Sequence, residues 1–169
     1  VSPEFYEAAE AVVATIDRPI RVIGVGGGHP VFGDYAALRD AASAPTLTPP
    51  TEADDVLQLY TSGTTGLPKG VRLSNRNYSA FLQLRHQVEG FSYAADDTVL
   101  ILMPMFHVAG TNISFAGLAS GGRIVLQAEF APPQVLDAIQ RERVAHAFLA
   151  PVMINALLQT PGVETTDFS

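Results

Sequence analysis

The sequence predicts an α/β fold, a three-layer, doubly wound and mostly parallel sheet, and three observations carry that expectation. From Val56 onward, short apolar runs of strand type alternate with amphipathic runs of helical period, joined by brief connections. Parallel strands linked by crossover helices produce this alternation. Two motifs, residues 60–70 and 103–110, follow directly on strand-like runs, and open α/β sheets bind ligands at such carboxyl ends. Finally, 169 residues with 47% hydrophobic side chains are enough to bury one core, so residues 1–169 are read as a single α/β segment.

The elements follow in order. Ser2-Pro3 offers a hydroxyl cap and a proline at the first helical position, and Phe5, Ala8, Ala9, Val12 and Val13 recur at helical spacing to about Thr15. Ile20 to Val25 reads as a strand. Gly26-Gly27-Gly28-His29-Pro30 is a loop, because a dinucleotide fingerprint needs a third glycine where His29 stands. Tyr35 to Ala42 forms a short helix, and Ser43 to Ala53, with three prolines and three threonines, a surface connector. Val56 to Tyr60 is a strand. After the first motif, Gly70 to Leu73 alternates like another.

Ser74 then caps a helix with Tyr78, Phe81, Leu82 and Val88 on one face and Arg76, Gln83 and Glu89 away from it. Strand Thr98 to Leu102 delivers the second motif. A helix from about Val108 to Ala119 stops at Gly121-Gly122, and Arg123 to Leu126 is a strand. Pro132-Pro133 opens a helix with Val135, Leu136 and Ile139 inward. Val144 to Leu149 is the last strand, and Pro151 starts a helix carrying Ile154, Leu157 and Leu158.

The first motif, Tyr60-Thr61-Ser62-Gly63-Thr64-Thr65-Gly66-Leu67-Pro68-Lys69-Gly70, is an inventory for holding a polyphosphate. Glycines let successive backbone N–H groups converge on an anion, hydroxyls add donors, and the lysine supplies charge. Lys69 is the one lysine in the chain, against nine arginines. A Walker A loop is excluded, because Lys69 stands between Pro68 and Gly70 with no hydroxyl after it and a strand, not a helix, follows. Phosphate recognition therefore rests on loop amides, hydroxyls and Lys69.

Composition removes other classes. The formal charge of −7 argues against nucleic acid as a partner. With no cysteine, thiolate catalysis, disulfides and cysteine-ligated metals are excluded. No apolar run is long enough to cross a bilayer and no signal peptide is evident, so a cytoplasmic location is expected. The histidines at 29, 86, 107 and 146 lack metal-ligand spacing, and the pairs Asp54-Asp55 and Asp96-Asp97 read as solvated turns, so no metal site is assigned. Gly117-Leu118-Ala119-Ser120-Gly121 sets its serine one position too late for a nucleophile elbow and reads as a helix end. His107, just past a strand end beside Phe106, is placed to line a pocket.

The 60–70 string resembles the phosphate-loop signature of the adenylate-forming, AMP-binding enzymes: acyl- and aryl-CoA synthetases, luciferases and peptide-synthetase adenylation domains. Met103-Pro104-Met105-Phe106-His107-Val108-Ala109-Gly110 resembles the next signature of that family. The resemblance implies activation of a carboxylic acid, of a fatty or other apolar kind, with ATP to an acyl adenylate and then transfer to coenzyme A. Thr61, Ser62, Gly63, Thr64, Thr65, Gly66 and Lys69 match the loop that holds the β- and γ-phosphates, with Lys69 and Thr65 in catalytic roles. Phe106, His107 and Gly110 match the border of the acyl or aryl pocket. Mg2+ is implied, with ligands mostly outside this chain. The motifs for adenine and ribose, the magnesium-associated glutamate and the mobile C-terminal domain are not matched, so the chain resembles part of a large N-terminal domain whose partner is the remainder of the enzyme, and it is expected to be inactive alone. Two alternatives stay open: an enzyme that loads acids onto a carrier protein, and a noncatalytic nucleotide-binding module.

Overall fold

A computed structural model of the chain describes residues 1–63, 66–88 and 90–169. The chain divides into two compact units, Val1–Pro49 and Pro50–Ser169, at the proline-rich connector.

In the first unit a 3-10 turn over Pro3–Phe5 leads into α1 (Tyr6–Val13), and Ser2 makes no side-chain cap. The strand expected over residues 20–25 shrinks to β1 (Ile23–Gly24), paired in parallel with β2 (Gly33–Asp34). Beside β1 the Val1 carbonyl accepts the Val25 N–H at 2.9 Å. Asp34 caps α2 (Tyr35–Ala41), accepting the Ala37 N–H at 2.8 Å. The glycine cluster opens no helix. His29 beside it stacks on Phe32 and accepts the Val31 and Phe32 N–H groups at Nδ1, both at 3.2 Å, a packing role for a loop histidine.

The second unit begins with a hairpin of β3 (Asp55–Thr61) and β4 (Lys69–Ser74), antiparallel, with Thr61 opposite Lys69. The sequence predicts both motifs at carboxyl ends of strands in one parallel sheet, whereas among the described residues β3 and β4 pair only with each other. The connection between them is too short for a parallel crossover and closes as a hairpin.

Ser74 then starts α3 (Asn75–Leu84) with a reciprocal cap: the Asn77 N–H donates to Ser74 Oγ and the Ser74 N–H to Asn77 Oδ1. A 3-10 turn over Arg85–Gln87 tightens the helix end and rotates Val88, expected on the inner face, into solvent at 53% exposure. Glu89, expected on the outer face, lies outside the described residues.

The core is the α/β part. β5 (Thr98–Ile101), α4 (Val108–Ala119), β6 (Arg123–Leu126), α5 (Pro132–Glu142), β7 (Val144–Ala147) and α6 (Pro151–Leu158) follow in order, and the strands form a parallel sheet in the order β6-β5-β7. From β5 the chain crosses one way to β6 and then back past β5 to β7. Right-handed crossovers in opposite directions put α4 and α5 on opposite faces, which is double winding. The alternation of β5 shows both layers. Leu100 and Leu102 pack on Val135, Leu136 and Ile139 of α5 and on Met153 and Leu157 of α6. Val99 and Ile101 pack on Tyr93 and on Ile113 and Ala116 of α4, with Phe81 and Leu82 of α3 alongside. Val99, Leu100 and Val135 are fully buried, each stabilising the fold by about 2 kcal/mol relative to exposure. The Gly117–Gly121 string is the expected helix end, with Ser120 Oγ donating back to Ala116 at 3.0 Å.

Candidate functional site

The hairpin tip holds the first motif. Thr61 closes β3 and Lys69 opens β4, and of the described loop residues between them Ser62 and 66–68 are exposed. Thr64 and Thr65, both assigned to phosphate and Thr65 also to catalysis, lie outside the described residues. Gly63 and Gly66 take φ of 65° and 86°, the left-handed region that glycine enters without strain. At Gly63 the need is also steric, because a β-carbon there would overlap the Leu67 carbonyl oxygen. The Lys69 side chain passes 3.8 Å from the place of that missing carbon, so its stem lies along the loop's own turn. Arg72 and Arg76, the next cations along the chain, are held by Asp55 at 2.5 Å and Glu52 at 2.9 Å, toward the other end of the hairpin. Lys69 is thus the cation that the sheet register delivers to the glycine-rich turn.

The second motif forms a tight corner between β5 and α4. The His107 N–H donates to Pro104 O at 2.9 Å, closing a turn. His107 is also the N-cap of α4, its Nδ1 accepting the Ala109 N–H at 3.1 Å. An imidazole that accepts at Nδ1 carries its proton on Nε2, which fixes the tautomer offered beyond the helix end. Gly110 lets the helix backbone close on the strand exit: a β-carbon there would overlap the Pro104 carbonyl and stand 2.6 Å from that of Met103. Two side chains that the sequence reading passed over complete the corner. Thr111 Oγ1 lies 3.0 Å from Met105 O and 3.1 Å from His107 O, and Ser114 Oγ lies 2.8 Å from Gly110 O and 3.3 Å from Met105 Sδ.

In front of this corner, at the carboxyl ends of β5 and β6, opens a cleft of about 260 Å3 lined by residues 102–106 and 126–128. Its walls are apolar apart from Gln127. Phe106, 85% exposed, stands at its edge, while His107 and Gly110 build the corner behind it. Carboxyl ends of strands are where open α/β sheets take ligands, and this cleft lies at two such ends, between β5 and β6 and one strand away from the β5–β7 reversal.

The two motifs are joined through α3. Leu73 at the end of β4, Asn77 and Tyr78 of α3, and Val108 and Asn112 of α4 line one groove of about 220 Å3. Across it the Tyr78 hydroxyl donates to Asn112 Oδ1 at 3.0 Å, and burial pushes the Tyr78 phenol up, keeping it a donor. His146 and His86 serve elsewhere: His146 bonds Asp97 at 2.9 Å and packs on Tyr93, and His86 lies 3.2 Å from Ser92 Oγ. Among the described residues no three His, Asp or Glu side chains gather as metal ligands, and no helix is long and apolar enough to cross a membrane.

Residues 6–169 match the family described as AMP-binding enzyme. The chain is 31% identical over 161 residues to 4-coumarate–CoA ligase 3 of Oryza sativa subsp. japonica, covering 90% of this chain and 28% of that protein. It is 35% identical over 116 residues to the fatty acid–[acyl-carrier-protein] ligase ScoC of Streptomyces coeruleorubidus, covering 68% of this chain and 22% of that one. The inhibitor-bound N-terminal domain of FACL13 from Mycobacterium tuberculosis superposes with a TM-score of 0.76 at 24% identity, over 98% of this chain and 40% of that one, a likeness of fold. The chain spans less than a third of the length of these two curated relatives.

Proposed function

Because this chain belongs to the AMP-binding enzyme family, we propose that it supplies the phosphate loop and part of the acid cleft for ATP-dependent activation of a carboxylic acid, which forms an acyl adenylate and then a thioester with coenzyme A. The observation that carries the reading is the hairpin tip, where Gly63 and Gly66 turn with positive φ and the register sets Lys69 beside them.

The chemistry asks for that arrangement. Carboxylate and triphosphate repel each other, so bringing the acid oxygen in line with the α-phosphorus needs a cation and oriented donors. The same groups stabilise the charge that gathers as pyrophosphate leaves. Lys69, the hydroxyls of Thr61, Ser62, Thr64 and Thr65, and the loop amides at Gly63 and Gly66 are assigned to the β- and γ-phosphates, with Lys69 and Thr65 serving the transition state. Phe106, with His107 and Gly110 behind it, borders the acid. The Mg2+ that accompanies ATP is assigned ligands mostly outside this chain, with the triphosphate itself supplying others.

The acid is assigned as apolar, since Leu102, Met103, Met105 and Phe106 wall the cleft. The named substrates of the two relatives, a hydroxycinnamate and a fatty acid, both suit such walls. A second reading keeps the activation step and replaces coenzyme A by a carrier protein, as the name of ScoC states for that enzyme. A cytoplasmic location accords with either.

The test is carboxylate-dependent ATP–pyrophosphate exchange by the protein expressed from its complete reading frame, against fatty and aryl acids, with thioester formation then measured on coenzyme A and on a phosphopantetheinylated carrier protein. Exchange that requires an acid supports activation. ATP binding without exchange would move the reading to a noncatalytic nucleotide-binding module.

A further inference from the structure

We propose that Thr111 is a positioning residue for the acid site: its buried hydroxyl fixes the Met105 carbonyl, and through it the Phe106–His107 segment at the mouth of the cleft. This rests on the acid-activation reading above. Thr111 is 6% exposed and lies one turn into α4, where a threonine hydroxyl ordinarily returns its proton to the carbonyl four residues earlier. Here it has that partner, His107 O at 3.1 Å, and a nearer one outside the helix, Met105 O at 3.0 Å. The single proton is shared between the two residues that flank Phe106.

The surroundings leave the hydroxyl a specific task. Backbone bonds hold the corner on either side: His107 N–H to Pro104 O at 2.9 Å before it, and Thr111 N–H to His107 O at 3.2 Å after it. Neither touches the Met105 carbonyl. Ser114 Oγ approaches Met105 only at its sulfur, 3.3 Å away, a weak contact. Among the described residues, the Thr111 hydroxyl is thus the side-chain donor that ties the Met105 carbonyl to α4. Without it the Phe106 peptide is free to swing, and Phe106, largely in solvent, has little packing of its own to hold it.

The test compares Thr111→Val, which keeps the shape and removes the donor, with Thr111→Ser, which keeps the donor. The expected result for T111V is an acid KM raised about fivefold with the ATP KM within about twofold of the parent, and T111S close to the parent in both. A second readout needs no turnover. The backbone amide resonances of Phe106 and His107, identified with F106L and H107Q, should shift and broaden in T111V, while those of His29, His86 and His146 stay in place. An unchanged acid KM in T111V, an ATP KM that rises in step with it, or a T111S as impaired as T111V overturns the proposal. So does a His107 spectrum that ignores T111V. Absence of acid-dependent exchange in the parent removes the activation reading itself, and with it the kinetic claim, whereas the His107 spectrum still decides whether Thr111 holds the corner.

Discussion

The Nε2 of His146, on β7, lies 2.9 Å from Oδ2 of Asp97, 49 residues earlier in the turn that enters β5. The same carboxylate oxygen accepts the Ala94 N–H at 2.7 Å, and Tyr93 packs on the imidazole with ring centroids 4.2 Å apart. Asp97 thus closes its own turn and ties the entry of the central strand to an edge strand. The Ala94 N–H first, and then His146, hold its carboxyl below the usual carboxylate range.

A depressed carboxylate stabilises the fold above its ordinary titration range and loses that contribution as pH falls through its folded-state value. Asp97→Asn is therefore expected to lower stability near neutral pH by about 1 kcal/mol, the part of a charge-assisted hydrogen bond that a neutral amide acceptor does not keep. The gap from the parent should narrow as the pH falls below the normal aspartate range, where the parent carboxyl is also protonated. Urea unfolding at a series of pH values measures this, and a gap that stays constant into acid would show that the charge of Asp97 plays no part.

Lys69 is expected to matter for ATP and little for folding. It is exposed on β4, and surface substitutions away from packed features move stability by about 0.5 kcal/mol or less. Lys69→Ala should raise the KM for ATP and lower the exchange rate by at least about tenfold, with Lys69→Arg intermediate, since a guanidinium keeps the charge but not the compact head. Exchange kinetics and a melting curve on the same preparations separate the two effects. Wild-type ATP kinetics in K69A would remove the lysine from the phosphate site.

Gly63 and Gly66 share the left-handed region, yet a methyl group should affect them differently. At Gly66 nothing among the described residues lies within 4 Å of the added carbon, so Gly66→Ala is expected to carry mainly the backbone strain, about 1 kcal/mol. At Gly63 the carbon meets the Leu67 main-chain carbonyl, which gives way less readily than a side-chain tip would. Gly63→Ala is expected to lose ATP-dependent exchange altogether, and Gly66→Ala to keep part of it. The reverse order would mean that the turn is not what shapes the loop.

The sequence carried the strand–helix alternation well because each of its signals is local. Pro132 and Pro151 open α5 and α6, and Val99 to Leu102 is an uninterrupted apolar run, as a strand covered on both faces requires. What it hid were relationships whose partners have no local signature. Thr111 inside an apolar helix reads as core filler, because its partner is a main-chain carbonyl six residues back. The Asp97–His146 bond joins residues that no spacing rule connects, so the aspartate read as a solvated turn. The parallel pairing wrongly extended to β3 failed for a different reason: alternating apolar residues show that a strand exists and which face is buried, while its neighbour is chosen by the length of the connection.

Gly110 shows how a motif glycine can serve a site without touching a ligand. The α4 backbone approaches the strand exit so closely that an added carbon would collide with two main-chain carbonyls, those of Met103 and Pro104. Neither can give way as a side-chain tip would, because Pro104 O accepts the His107 N–H that closes the corner. Gly110→Ala should therefore displace the first turn of α4, break the His107 cap and destabilise the protein by at least about 2 kcal/mol, in the range of overpacked buried positions. Gly28→Ala is the control: its added carbon meets nothing within 4 Å and its φ lies outside the left-handed region, so a change of no more than about 0.5 kcal/mol is expected. Chemical denaturation of the two variants side by side measures the contrast. Equal stability of the two would mean that the corner yields around Gly110, and that His107 is held in place by something other than the close approach of helix and strand.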